Sequence, residues 1–90
     1  MLTPIRTGKF KKDFVLAEKR GKDMDALISV MGKIINEEPL PRELRNHPLH
    51  GKWKGTLECH VEPDWLLIYE IDQATKEVVF HRTGSHSDLF

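Results

Sequence analysis

Five histidines occur in 90 residues, and four of them stand where the chain is irregular. His47 and His50 fall in a segment broken by Pro39, Pro41 and Pro48, His60 ends an alternating run, and His86 lies in the C-terminal tail. Imidazole ordinarily titrates near neutral pH, so such a set suits proton transfer. Glu58 precedes His60 by two residues, Asp64 follows it across the turn Glu62-Pro63-Asp64, and Arg82 lies four residues before His86. Brought together, these residues supply what RNA cleavage without a metal requires. A base takes the proton of the ribose 2′-hydroxyl, an acid protonates the departing 5′-oxygen, and a cation stabilises the charge on the phosphorane-like transition state. Two histidines can be base and acid, a carboxylate can orient one of them, and arginine offers paired donors to phosphate oxygens. Trp65 or Phe90 can stack on a base.

The same residues admit other readings. Histidines with a carboxylate are also a divalent-metal donor set. No pair has the helical i, i+4 spacing of a zinc protease motif and none lies in a Cys/His finger pattern, so no metal and no other cofactor is expected. His81 reads as a strand residue and His50 as a loop residue, while Trp53 and Trp65 serve equally well as core anchors. Cys59, the sole cysteine, lies on an apolar face and reads as packing, with no partner for a disulfide. A small RNA- or protein-binding domain with structural histidines remains open.

These residues need a scaffold. Leu2 to Arg6 reads as a short strand that Pro4 confines to an edge or a strand beginning. Phe10, Phe14 and Ala17 recur at helical spacing, with Lys9, Lys11, Lys12, Lys19 and Arg20 mostly off the stripe and Gly21 as the stop. Asp23 caps a second helix whose face carries Leu27, Met31, Ile34 and Ile35 and which ends at Asn36. Glu37 to Pro48 is a loop. Trp53 to His60 then alternates, setting Trp53, Leu57 and Cys59 on one side and Lys54, Thr56, Glu58 and His60 on the other. Trp65 to Ile71 is a nearly all-apolar central strand, and Lys76 to Thr83 is a third. Short turns join these three, predicting an antiparallel meander. The expected fold is α+β, in the order strand-helix-helix-strand-strand-strand, with the helical hairpin on one face of an antiparallel sheet. The other face is left for Glu58 and His60.

Composition sets the outer bounds. A chain of 90 residues is a single domain, 1–90, with one modest core. Hydrophobic residues at 39% and charged residues at 31% mark a globular rather than a disordered chain. The longest apolar run, beginning at Trp65, falls far short of the roughly 20 residues of a membrane span. No secretory pattern is visible, and the expected compartment is the cytoplasm. The zero net charge hides a gradient: residues 1–54 carry 12 Lys/Arg against 7 Asp/Glu, and residues 55–90 carry 2 against 7. The basic half suits a polyanion or, more blandly, a solvated helix face.

Three separated strings resemble one family. Asn46-His47-Pro48-Leu49-His50-Gly51-Lys52-Trp53-Lys54-Gly55 is similar to the HPL-x-G-x-W-x-G segment of YafQ-type toxins, His60-Val61-Glu62-Pro63-Asp64-Trp65 to their HVEPDW turn, and Arg82-Thr83-Gly84-Ser85-His86 with Leu89-Phe90 to their C-terminal tail. Cys59 departs from the small residue typical of that position. The resemblance implies a RelE-like domain in the RelE/ParE superfamily. It implies a type II toxin, an mRNA interferase that cuts messages in the ribosomal A site without a metal. Its partners would be a cognate antitoxin, the mRNA, and the ribosome met through a basic surface, with no membrane. Carried over position by position, the catalytic set is His47, Glu58, His60, Asp64, Arg82 and His86, and the RNA contacts are Lys52, Lys54, Trp65 and Phe90. A ParE-like toxin acting on gyrase is the alternative within the superfamily, and it has no need of this histidine set.

Overall fold

The computed structural model describes all 90 residues. The core forms where one strand, β4 (Trp65–Asp72), is buried on both faces. It pairs antiparallel with β3 (Leu57–Glu62) on one side and β5 (Glu77–Gly84) on the other, as the short turns require. The first strand, β1 (Thr3–Arg6), runs along the free edge of β5, and a two-residue β2 (His47–Pro48) closes the edge beyond β3, giving the order β1-β5-β4-β3-β2.

β1 pairs with β5 in parallel, so the sheet is mixed rather than wholly antiparallel. Tight turns fix the directions of β3, β4 and β5. β1 connects to them only through the helices, and its direction follows from where α1 must start. Pro4 sits on this outer strand, where a missing N–H costs least.

Helices α1 (Gly8–Lys19) and α2 (Met24–Ile35) form the expected hairpin. Gly8 opens α1, and Thr7 caps the helix by accepting from the Phe10 N–H. Asp23 caps α2 by accepting from the Ala26 N–H. Gly21 between them has φ +75°, a left-handed turn that glycine adopts without strain. Phe10, Ala17, Leu27, Val30 and Ile34 bury against Cys59, Trp65, Leu67, Tyr69, Val78 and Phe80.

The opposite face has its own small core. Leu66 and Ile68 are covered by Leu89, with Leu49 and Trp53 at the margin. Leu89 belongs to α3 (His86–Leu89), one helical turn where the sequence reads only as a tail. Trp53 lies in a 3-10 turn (Gly51–Trp53) before the strand begins, which carries it to this face instead of the Leu57/Cys59 side.

Phe80 is fully buried, with its ring 5.7 Å from that of Phe10. Phe80→Ala should lower unfolding free energy by about 3–5 kcal/mol in urea denaturation. Ile28→Ala, at a position 54% exposed, should change it by less than about 0.5 kcal/mol.

Candidate active site

Alternation along β3 puts Glu58 and His60 on the face away from α1 and α2, opposite Ile68 and Leu66. β2 adds His47 directly across from Glu58. The segment before β2 is pinned by Tyr69, whose hydroxyl donates to Asn46 Oδ1 at 2.7 Å. α3 supplies His86 as its first residue. The result is a row of rings: His47 to His60 at 6.5 Å between centroids, His60 to His86 at 5.9 Å, and His86 to Phe90 at 6.3 Å. Residues spread over 40 positions thus meet on one surface.

A carboxylate lies against each ring. Glu58 Oε1 lies 3.1 Å from His47 Nε2 and 3.4 Å from His60 Nε2. Glu58 is only 4% exposed, so it sits beneath the imidazoles and orients them. The Nδ1 atoms of the same rings face the carbonyls of Pro48 at 3.1 Å and Pro63 at 3.3 Å. Asp64 Oδ1 accepts twice from His86, from its backbone N–H at 3.0 Å and from Nδ1 at 2.8 Å. Those two hydrogen bonds, the backbone one first, hold the Asp64 carboxyl below its ordinary range. An ionised carboxylate only accepts, so the His86 Nδ1 carries the proton of that bond and Nε2 is the atom left to face solvent.

Arg82 lies beside the row rather than in it. Its Nε and Nη2 donate to Asp13 at 2.6 and 3.1 Å, and Asp13 also accepts from the Thr83 N–H at 3.1 Å. Arg82, Asp13, Arg20, Asp64, Ser85 and Asp88 line an adjoining cleft of about 380 Å³. Asp64 borders both, so the cleft and the histidine row share one wall.

The family model of the bacterial toxin YafQ, from type II toxin-antitoxin systems, matches residues 2–90. The chain belongs to the YafQ toxin family. It is 48% identical over 85 residues to the mRNA interferase toxin YafQ of Escherichia coli K12, covering 93% of this chain and 90% of that one. The E. coli DinJ-YafQ complex aligns with a TM-score of 0.92 at 45% identity, over 100% of this chain and 99% of that one. A metal-bound toxin from Helicobacter pylori aligns with a TM-score of 0.94 at 41% identity, over the whole of both chains.

Within this YafQ-family fold, His47, Glu58, His60, Asp64 and His86 share the row or its immediate support. Lys52 and Lys54 are exposed on the turn after β2, and Phe90 is 59% exposed at the end of the row. Trp65 does not offer a stacking face: at 1% exposed it belongs to the helix-side core, with the Lys22 ammonium 5.8 Å from the ring centroid. It opens β4 with its side chain inward, and burying an indole of that size outweighs exposing it. Cys59 is packing, as its apolar neighbours imply. Burial, and secondarily the neighbouring Glu58, push its thiol up to about 12.

Three supporting residues lie outside the strings that carry the family resemblance. Asp13 sits on the Phe10/Ala17 side of α1 and marks itself only as an acid within a basic stretch. Arg20 donates to Asp88 at 2.7 Å, tying the end of α1 to α3. Asp88 completes a capping box with Ser85, and the Ser-x-x-Asp spacing is visible in the sequence.

The hydrogen bond from Arg20, with the Ser85 N–H next, lowers the Asp88 carboxyl to about 2. A depressed carboxylate stabilises docking above its ordinary value of 3.8 and loses that contribution as pH falls through about 2. The Asp88 carboxyl should therefore titrate near that pH when its NMR signal is followed, and Arg20→Ala should move the midpoint upward, toward the ordinary carboxylate range.

Proposed function

We propose that this chain is an mRNA endoribonuclease that acts on ribosome-bound message by metal-independent acid–base catalysis. The observation that carries this reading is the row of three imidazoles, each with a carboxylate within 3.4 Å of a ring nitrogen, beside a guanidinium. The E. coli relative at 48% identity, an mRNA interferase toxin, supports the substrate class. The relative complexed with DinJ supports a cognate antitoxin as partner. No helix is long and apolar enough to cross a membrane, and the exposed Lys9, Lys11, Lys12 and Lys19 suit contact with ribosomal RNA.

In the proposed reaction one ring of the His47/His60 pair, its Nδ1 proton donated to a backbone carbonyl, takes the 2′-hydroxyl proton on Nε2, where Glu58 stabilises the imidazolium that forms. The 2′-oxygen attacks phosphorus and the bond to the 5′-oxygen breaks. Protonated His86 gives its Nε2 proton to that oxygen while Asp64 holds the ring, leaving a 2′,3′-cyclic phosphate and a free 5′-hydroxyl. Arg82 bears on the charge of the phosphorane-like state. Lys52, Lys54 and Phe90 hold the RNA strand, the last by stacking. A gyrase poison would have no use for this row.

One observation favours a second reading. Ligand atoms of His47, Glu58 and His60 lie within 4.8 Å of one another, a donor set that fits a divalent ion of the zinc or copper class, and the H. pylori relative is metal-bound. Such an ion would take up the nitrogens that the acid–base reading needs.

Primer extension on a ribosome-bound message tests the proposal, with the protein treated with EDTA and assayed in the magnesium that ribosomes require. Cleavage should persist. Abolition by a zinc-selective chelator with rescue by zinc would replace this reading with the metal one. His86→Ala should slow single-turnover cleavage by roughly 10²–10⁴-fold with little change in ribosome affinity. A 5′-thiolate leaving group, which needs no proton, should restore it. If that substrate fails to rescue, the acid is not His86.

A further inference from the structure

Asp13 is an acid in the wrong neighbourhood. Residues 1–22 hold seven basic residues and two acidic ones, and most of that charge is solvated. Asp13 instead turns toward the sheet, three residues after Phe10 and four before Ala17, with its side chain 12% exposed. Both its oxygens are used: Oδ1 accepts from Arg82 Nη2, and Oδ2 accepts from Arg82 Nε and the Thr83 N–H. Thr83 is itself fixed, its hydroxyl donating to the Leu66 carbonyl at 2.7 Å.

The side of the guanidinium that Asp13 grips matters. Of the five N–H groups of an arginine, the carboxylate takes one on Nε and one on Nη2. The remaining edge, made by Nη1 and Nη2, keeps two near-parallel donors, the geometry that suits two oxygens of one phosphate. Arg82 follows a one-residue shift in the pairing of β5 with β4, where Tyr69 faces Phe80 but Ile68 faces Arg82. Such an irregularity re-aims a side chain, and a clamp from α1 fixes where it ends.

We propose that Asp13 is a positioning residue for Arg82, holding its guanidinium side-on so that the Nη1/Nη2 edge is presented to the scissile phosphate. The inference rests on the role given to Arg82 above. Asp13 also offsets part of the arginine charge, so it favours orientation at some loss of attraction for RNA. The two effects separate in kinetics. Asp13→Asn removes the charge and one acceptor. It should lower single-turnover cleavage at saturating ribosomes by on the order of 10- to 100-fold, while the apparent affinity for the ribosome–mRNA complex stays unchanged or tightens.

A double-mutant cycle tests the connection. Asp13→Asn, Arg82→Ala and the double variant are compared on ribosome-bound message, with thermal melting to confirm folding. Asp13→Asn should cost less than about 2-fold once Arg82 is alanine, because nothing is left to position. An equal loss in both backgrounds would overturn the proposal and make Asp13 an independent structural clip. Full activity of Asp13→Asn with a slow Arg82→Ala would overturn the proposal while leaving the role of Arg82 intact. Full activity of Arg82→Ala would overturn both. Should the variants melt early, ¹⁵N relaxation of the Arg82 Nε–H in the unaltered protein decides. A restrained guanidinium is expected, and one moving as freely as that of the exposed Arg42 on the loop before β2 would contradict the clamp.

Discussion

The contact of Leu89 with Leu66 and Ile68 decides whether there is a site at all. α3 has four residues, far below the length at which an isolated helix holds together in water. It persists because Leu89, 6% exposed, buries against the sheet, a gain of about 1.5–3 kcal/mol. The Ser85/Asp88 capping box adds about 1 kcal/mol. The Arg20–Asp88 pair is solvent-facing and adds less, so it sets the angle of approach more than the strength. Only with α3 seated does the His86 backbone N–H reach Asp64, and only then does its ring stand 5.9 Å from His60.

β4 makes that seat available. Its odd residues Trp65, Leu67 and Tyr69 complete the core under the helices, and its even residues Leu66 and Ile68 make the patch on the other face. The alternation that buries Cys59 turns Glu58 and His60 toward the same patch. The two faces are thus divided: the larger core lies on one side, the histidines and their carboxylates on the other. Arg82 is the exception, held from the helix side by Asp13 across the end of the sheet.

Much of this was legible in the sequence, for physical reasons. Helical stripes at Phe10/Ala17 and Leu27/Ile34, the Asp23 cap and the short turns fix local structure through neighbours in the chain, and these elements stand where expected. The direction of β1 was not legible, because no short turn ties it to β5. α3 was missed because one turn carries no periodicity, although its capping spacing was present. The convergence of His47, His60, Asp64 and His86 followed from their places at strand ends and loops, which a scaffold gathers, whereas Arg82, expected among them, lies in the adjoining cleft. The burial of Trp65 and the capture of Arg82 by Asp13 depend on contacts between residues up to 69 positions apart, which no local pattern encodes.

In the proposed mechanism these imidazoles move protons, with His86 as the acid. The pH dependence of single-turnover cleavage on saturating ribosomes decides whether they do. An acid must be protonated to act, so its contribution fades as pH rises, and a base fades as pH falls. The unaltered protein should give a bell-shaped profile, and His86→Ala should lose the alkaline limb while keeping the acidic one. An unchanged bell in His86→Ala would contradict the account.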